Sequence, residues 1–394
     1  MSEKKAVVAG HLCLDILPSM DHLPTGQFEE IFRPGHLISV GQSIFATGGA
    51  VSNVGLTLHS LGIATRLIAS IGNDPYGPIV RNIIHQYGPD LLAGITTDEG
   101  DTTSFSVIIS PPGVDRIFLH CPGVNDLFQE DNIDFDIVAE ADLFHFGYPP
   151  LMRQMYEADG AHLITIFRQA KASGVTTSLD MAFPDPSSDA GQANWRKIIE
   201  TVMPYVDIFM PSIEETLLML RPETFHKLAE QHDDVLDALT PELLTDLADE
   251  LINMGARIVV LKLGHRGIYT RTSNSATLRA MGRAAPANPE AWADQELWSA
   301  CFKVNVVGTT GAGDATNAGF LSGLLRDMPL RETINAAVAT GACNVEAPDA
   351  LSGLLSWTET MARIHHDWHK HPLDIQSPRW QWDAAHALWF RDTK

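Results

Sequence analysis

Apolar positions along this chain recur with two different periods, and their alternation predicts its architecture. Short runs at 6–14, 65–71, 142–146, 176–180, 208–210 and 258–263, rich in Val, Ile, Leu and Phe, read as strands. Between them, 156–173, 195–203, 241–254 and 330–345 carry apolar residues at helical spacing, as does 48–62 through Val51, Val54, Leu58 and Leu61. Gly255, directly after Met254, supplies a helix stop. Strand and helix units repeated in this order predict an α/β fold of three layers, a central mostly parallel sheet with helices on both faces. Two more strands, 102–109 and 116–120, flank the turn SPPGVD; the alternation in TTSFSVIIS suits a small sheet with one wet face. Residues 19–47 hold no long periodic run, and Pro24 and Pro34 cut them into pieces expected to project from the main sheet as short strands.

Composition narrows the class. A chain of 394 residues can form one large domain or two smaller ones, and 45% hydrophobic with 19% charged residues marks it as globular. The formal net charge of −22 argues against non-specific nucleic-acid binding and against attachment to an anionic membrane surface. No apolar run approaches the length of a membrane span, and MSEKKAVVAG leads almost directly into a strand. Cys13, Cys121, Cys301 and Cys343 are far apart and form no CxxC pair, which suits reduced thiols and a cytoplasmic setting.

The chemistry concentrates in residues 307–320, VGTTGAGDATNAGF. Val304, Val306 and Val307 suit a short buried strand and 316–326 a helix, with a glycine turn between them. Gly311 and Gly313 lack a Cβ, so the backbone can approach a ligand closely, and N–H groups at a helix start favour an anion, phosphate above all. Neither a Walker A pattern nor a full GxGxxG is present. Asp314 beside such a site reads in two ways: as a general base that accepts a proton from an attacking hydroxyl, or as a helix cap. Near the amino end, Asp15 follows 6–14 where open α/β sheets bind ligands, a place that a turn-forming aspartate also suits. Asn53, one turn into 48–62, can donate to and accept from a polyol, or cap a helix that starts late.

TTGAGDA, residues 309–315, resembles the C-terminal signature of the ribokinase-like (PfkB) carbohydrate and nucleoside kinases, and GGAVSN, 48–53, resembles their N-terminal signature. The resemblance covers roughly 6–355. It implies Asp314 as catalytic base, Gly311, Ala312 and Gly313 as an anion hole, and Asp15, Gly49 and Asn53 with Asp314 as the substrate site. VVLKLGHRGIYT, 259–270, is similar to the strand and turn beneath the nucleotide, which implies Lys262, Gly264 and Gly267, with Thr309, as nucleotide contacts; Lys262 equally suits a side chain snorkelling to solvent. MPSIEE, 210–215, resembles the NxxE element that helps hold magnesium. Glu215 matches its acid and would act through water, while Ser212 stands where asparagine is usual; the same pair also reads as a capping box. Gly308 stands where many members carry an aspartate of a monovalent-cation site, which puts potassium activation in doubt.

The cofactors implied are ATP and Mg²⁺, and the reaction implied is transfer of the γ-phosphate to a hydroxyl of a sugar or sugar acid. A nucleoside kinase of the same fold is the alternative enzyme and would need Phe105, Phe118 or Phe146 to stack on a base. A catalytically silent sugar-binding or scaffold protein is the alternative from another class. The resemblance places a kinase domain at 1–357 and lid strands within 16–47 and 100–123, with Arg116 and Asn125 as polar contacts and Asp74 in an architectural turn. Residues 272–302 form an excursion, and 358–394 an extension packed on the core or on a partner subunit. A homodimer through lid or extension is the expected assembly. In the extension, His365 and His369 are spaced to share a helix face, and surface histidines suit them better than a metal.

Overall fold

The computed structural model describes residues 4–26, 28–113 and 117–391. Fifteen strands among them build two sheets: β1 Lys5–Gly10, β2 Cys13–Pro18, β3 Ser43–Gly48, β4 Ala64–Gly72, β5 Gly94–Asp98, β6 Phe105–Ile109, β7 Ile117–Cys121, β8 Leu143–Gly147, β9 Thr176–Leu179, β10 Ile208–Phe209, β11 Ile258–Lys262, β12 Ile268–Thr272, β13 Glu296–Ser299, β14 Trp380–Asp383 and β15 Leu388–Arg391. The larger sheet has the order β14-β15-β13-β12-β11-β10-β9-β8-β1-β4-β5. From β11 to β5 all neighbours are parallel, and β12, β13, β15 and β14 add an antiparallel edge. The smaller sheet has the order β3-β2-β6-β7.

Period-two alternation explains why both faces of the large sheet are covered. Val7, Ala9, Val259 and Leu261 point into one apolar core, and their neighbours Ala6, Val8, Ile258 and Val260 into the other. Helices Ala161–Ala172, Trp195–Val202 and Pro241–Met254 close the first core with Phe167, Ile198 and Leu247. Ala50–Ser60, Tyr76–Tyr87, Ala312–Leu325 and Leu330–Asn344 close the second with Val54, Ile84, Leu321 and Ile334. Each such buried side chain contributes roughly 1.5–3 kcal/mol. This is the expected three-layer α/β fold with a small additional sheet.

Several boundaries differ from the sequence reading for physical reasons. The run 6–14 is not one strand: Gly10, at φ 121, ends β1, and β2 turns away into the small sheet, so that Asp15 lies inside a strand of that sheet. The helix read at 156–173 starts only at Ala161, because Ala158, Asp159 and Gly160 all hold positive φ. Residues 304–307 do not form the buried strand predicted for them. Val306 and Val307 are 59% and 55% exposed, and the backbone is instead tethered by the Val307 N–H donating to the Val345 carbonyl at 2.8 Å.

The excursion is not confined to the surface, since β13 lies within it as an inner strand of the large sheet, with Trp292 and Trp298 buried. The hairpin β14–β15 pairs with β13 and supplies Arg391, whose guanidinium meets the buried Glu296 carboxylate at 2.8 Å. The helix Trp357–His365 ends before His369, whose backbone pairs with Lys303, so the two histidines share no helix face. Among the described residues, no three His, Cys, Asp or Glu side chains group to hold a metal ion, and no helix is long and apolar enough to cross a membrane.

Candidate active site

The glycine turn leads directly into a helix. Gly311, at φ 75, is the left-handed residue before Ala312–Leu325, so the helix begins within the turn and Asp314 sits in its first turn. A Cβ at Gly311 would lie 2.5 Å from that of Ala350, so close packing requires glycine there. On one side of this turn, Thr309, Ala312, Gly313 and Thr316 line a cavity of about 800 Å³. Lys262, Gly264 and Gly267 line the same cavity, so all the residues singled out as nucleotide contacts meet in one place. Val304, Val306, Val338 and Ala342 give it apolar walls. The Ala312 N–H donates to the Thr309 carbonyl at 3.3 Å, a long bond that an incoming anion would have to displace.

Asp314 belongs to the other side of the helix start. It is 3% exposed, and its Oδ2 accepts from Asn53 Nδ2 at 2.9 Å and from the Tyr148 hydroxyl at 2.7 Å. Its Oδ1 is buried with no hydrogen-bond partner, as is Asn53 Oδ1. Burial pushes the Asp314 carboxyl above its ordinary pKa, against the hydrogen bonds from Tyr148 and Asn53 and the nearby Lys262 charge. The same surroundings hold the Tyr148 phenol firmly protonated. Cap geometry does not account for Asp314, because the residue before the helix is Gly311.

Asn53 is delivered by the glycine pair. Gly49, at φ 85, starts Ala50–Ser60, and it packs so tightly on His11 that a Cβ would lie 2.5 Å from the imidazole Nδ1. A Cβ at Gly48 would collide with the Asp15 carboxylate, so Asp15 and Asn53 approach the same turn. Asp15 accepts from the Cys13 thiol at 3.5 Å, and burial raises its carboxyl to about 6 despite hydrogen bonds from Cys13 and Ser106. His11 is held neutral by burial, its pKa lowered to about 3, and its Nε2 lies 3.4 Å from His120 Nε2 on β7 of the small sheet.

Behind the glycine turn lies an ion cluster. Lys262 Nζ donates to Asp180 Oδ1 at 2.5 Å and to the Met210 carbonyl at 2.6 Å, and Asn317 Nδ2 holds Asp180 Oδ2 at 2.8 Å. Lys262 is therefore bound inward and does not snorkel. Burial works against its charge, but Asp180, Glu215 and Asp314 together outweigh that and raise its pKa. Burial raises Asp180 and Glu215 in turn. Glu215 closes a capping box with Ser212, its Oε2 accepting from the Ser212 N–H at 2.7 Å.

Glu215, half-buried, would suit the water shell of a cation brought in on a polyphosphate. The cluster does not fit a metal caged by protein alone, since among the described residues no three His, Cys, Asp or Glu side chains converge. A Cβ at Gly308 would meet the Ala347 carbonyl at 2.9 Å, so the backbone there leaves no room for an aspartate.

Two residues of this site escaped the sequence reading, Tyr148 and Asp180. Each follows the carboxyl end of a parallel strand, β8 and β9, where the rule that singled out Asp15 would also have pointed. Asn125 is occupied in donating to the Leu12 carbonyl at 3.0 Å, and Arg116 lies outside the described residues. Asp74 ties its turn to Thr102 and Thr103, an architectural use. Of the candidate base-stacking rings, Phe146 is fully buried in the core, Phe105 packs on Tyr76, and Phe118 is exposed.

The profile of the pfkB family carbohydrate kinases matches residues 17–357. A probable fructokinase, chloroplastic, of Arabidopsis thaliana is 28% identical over 78% of this chain and 72% of its own length. A 2-dehydro-3-deoxygluconokinase of Bacillus subtilis is 26% identical over 79% of this chain and 85% of its own. In fold, the chain is similar to an Arabidopsis thaliana ribokinase complexed with ribose and ATP, with a TM-score of 0.66 at 18% identity over 91% of this chain and 98% of that one. The chain belongs to the pfkB family of carbohydrate kinases.

Proposed function

We propose that this protein transfers the γ-phosphate of ATP to a hydroxyl of a sugar or sugar acid, with Asp314 as general base. The observation that carries the reading is the free Asp314 Oδ1, buried and unpartnered while Oδ2 is fixed by Asn53 and Tyr148. A buried acceptor left without a donor is costly, and a substrate hydroxyl supplies that donor. The hydroxyl donates to Oδ1 and gives up its proton as its oxygen attacks the γ-phosphorus. The bond to the β–γ bridging oxygen breaks, and ADP leaves. Asp15 and Asn53 Oδ1 orient the remaining hydroxyls, which removes part of the entropic barrier.

The phosphates lie toward the helix start, where N–H groups of the 311–313 turn and the helix dipole meet the developing charge. Bound Mg²⁺ would neutralise phosphate charge, and Glu215 is the residue that would hold its water shell, since the Asp180 oxygens are taken up by Lys262 and Asn317. The acceptors around Asn53 favour an uncharged polyol over an anion within the proposed range. The test is ATP consumption over a panel of pentoses, hexoses, ketoses, sugar acids and nucleosides. Stimulation by one sugar class is expected; binding without stimulation by any member would overturn the kinase reading in favour of a silent binding protein.

A further inference from the structure

Residues 368–374 lie beyond the stretch that the family profile matches, yet they build one wall of the 800 Å³ cavity, through His371, Pro372, Leu373 and Asp374. This strap is firmly held. The Lys303 N–H donates to the His369 carbonyl at 2.9 Å and the His371 N–H to the Cys301 carbonyl at 2.8 Å, an antiparallel pairing centred on Phe302 and Lys370. The Trp368 indole stacks on Phe302 with ring centroids 4.4 Å apart, and the Arg363 guanidinium lies 3.8 Å from the Trp368 ring. Lys370 Nζ donates to Ser299 Oγ at 2.7 Å, Asn335 Oδ1 at 2.6 Å and the Ala387 carbonyl at 3.0 Å, joining the strap to the large sheet, to helix Leu330–Asn344 and to the terminal hairpin.

The chemistry of this wall differs from that of the glycine turn. Pro372 and Leu373 offer apolar surface, and Asp374 adds a carboxylate that repels phosphate but accepts from hydroxyls. We propose that the strap is the nucleoside wall of the nucleotide site: it packs the base, offers Asp374 to the ribose hydroxyls, and so turns the polyphosphate toward Gly311–Gly313. The proposal rests on the kinase reading of the cavity.

Calorimetric titration with two probes, ATP and tripolyphosphate, tests it on the full chain and on His371→Ala/Pro372→Gly. The expected result is an ATP Kd raised about tenfold with tripolyphosphate binding unchanged and the melting temperature preserved. Leu373→Ala gives a second reading if the double variant folds poorly, with the same expected pattern. An ATP Kd within about twofold of wild type in a folded variant, or equal weakening of both probes, would overturn the strap's role. Failure of the wild type itself to bind ATP would instead overturn the nucleotide reading, and this proposal with it.

Discussion

The hydroxyl of Tyr148 lies 2.7 Å from Asp314 Oδ2, the same oxygen that Asn53 holds from the other side. Tyr148 achieves this from a left-handed backbone, φ 67, which is unfavourable for a bulky residue. The two donors leave Oδ1 as the only carboxylate oxygen open to a substrate, and both stabilise the ionised form. Tyr148→Phe removes one bond to a charged acceptor, worth about 1.5–3 kcal/mol. The Asp314 pKa, already raised by burial, then rises further because a hydrogen bond that favours the ionised form is gone. The acid limb of the kcat profile is expected to move to higher pH, with turnover recovering on the alkaline side; an unmoved limb would show that Tyr148 does not set the carboxylate.

Asp15 is poised to respond to mild acid. Its carboxyl is raised by burial to about 6, and the ionised form accepts on both oxygens with the strength of a full charge, while the protonated form turns one oxygen into a donor. The KM for the sugar is expected to rise as the pH falls through 6, while the KM for ATP stays flat. Asp15→Asn is expected to raise the sugar KM and abolish its dependence on pH in this range.

The terminal hairpin is tied to the core by the ion pairs Arg331–Asp383 and Arg391–Glu296, and the second, with its fully buried carboxylate, is predicted to stabilise the fold. Glu296 is fully buried on β13, where Thr245, Tyr269 and Arg391 converge on its two oxygens. Arg391→Ala leaves that carboxylate without its cation and is expected to cost about 3–5 kcal/mol in urea unfolding. Adding Glu296→Gln to Arg391→Ala is expected to recover part of the loss, because the uncompensated charge is gone.

Lys370 predicts a stability that climbs with alkalinity. Burial lowers its pKa from 10.5 to about 7. Between those values the unfolded chain binds a proton that the folded chain does not, so unfolding becomes harder as the pH rises from about 7 to about 10.5. Below pH 7 both states are protonated and the folded state bears the cost of a buried charge. In Lys370→Met this slope is expected to vanish, as measured by chemical denaturation at a series of pH values.

Much of this was legible in the sequence. Short apolar runs at β1 and β11, and helical spacing in Pro241–Met254 with Gly255 after it, were enough for the layered fold. The two signatures brought Asn53 and Asp314 to one hydrogen bond across 261 residues of chain. What escaped depends on tertiary packing. Nothing local tells that Val306 borders a cavity and Val307 lies exposed instead of both entering a sheet. Nor does any spacing rule say that Tyr148 adopts positive φ and turns its hydroxyl onto a distant carboxylate. The tryptophan-rich tail signalled packing, but its partner, β13, lay in a stretch whose prolines hid a strand.

The central claim is that Asp314 accepts the substrate proton. Its most direct test is the turnover of Asp314→Asn with ATP and the best sugar, measured beside ATP binding by calorimetry. The account predicts kcat lower by about 10²- to 10⁴-fold with ATP affinity nearly intact. Turnover within a few-fold of wild type would contradict it.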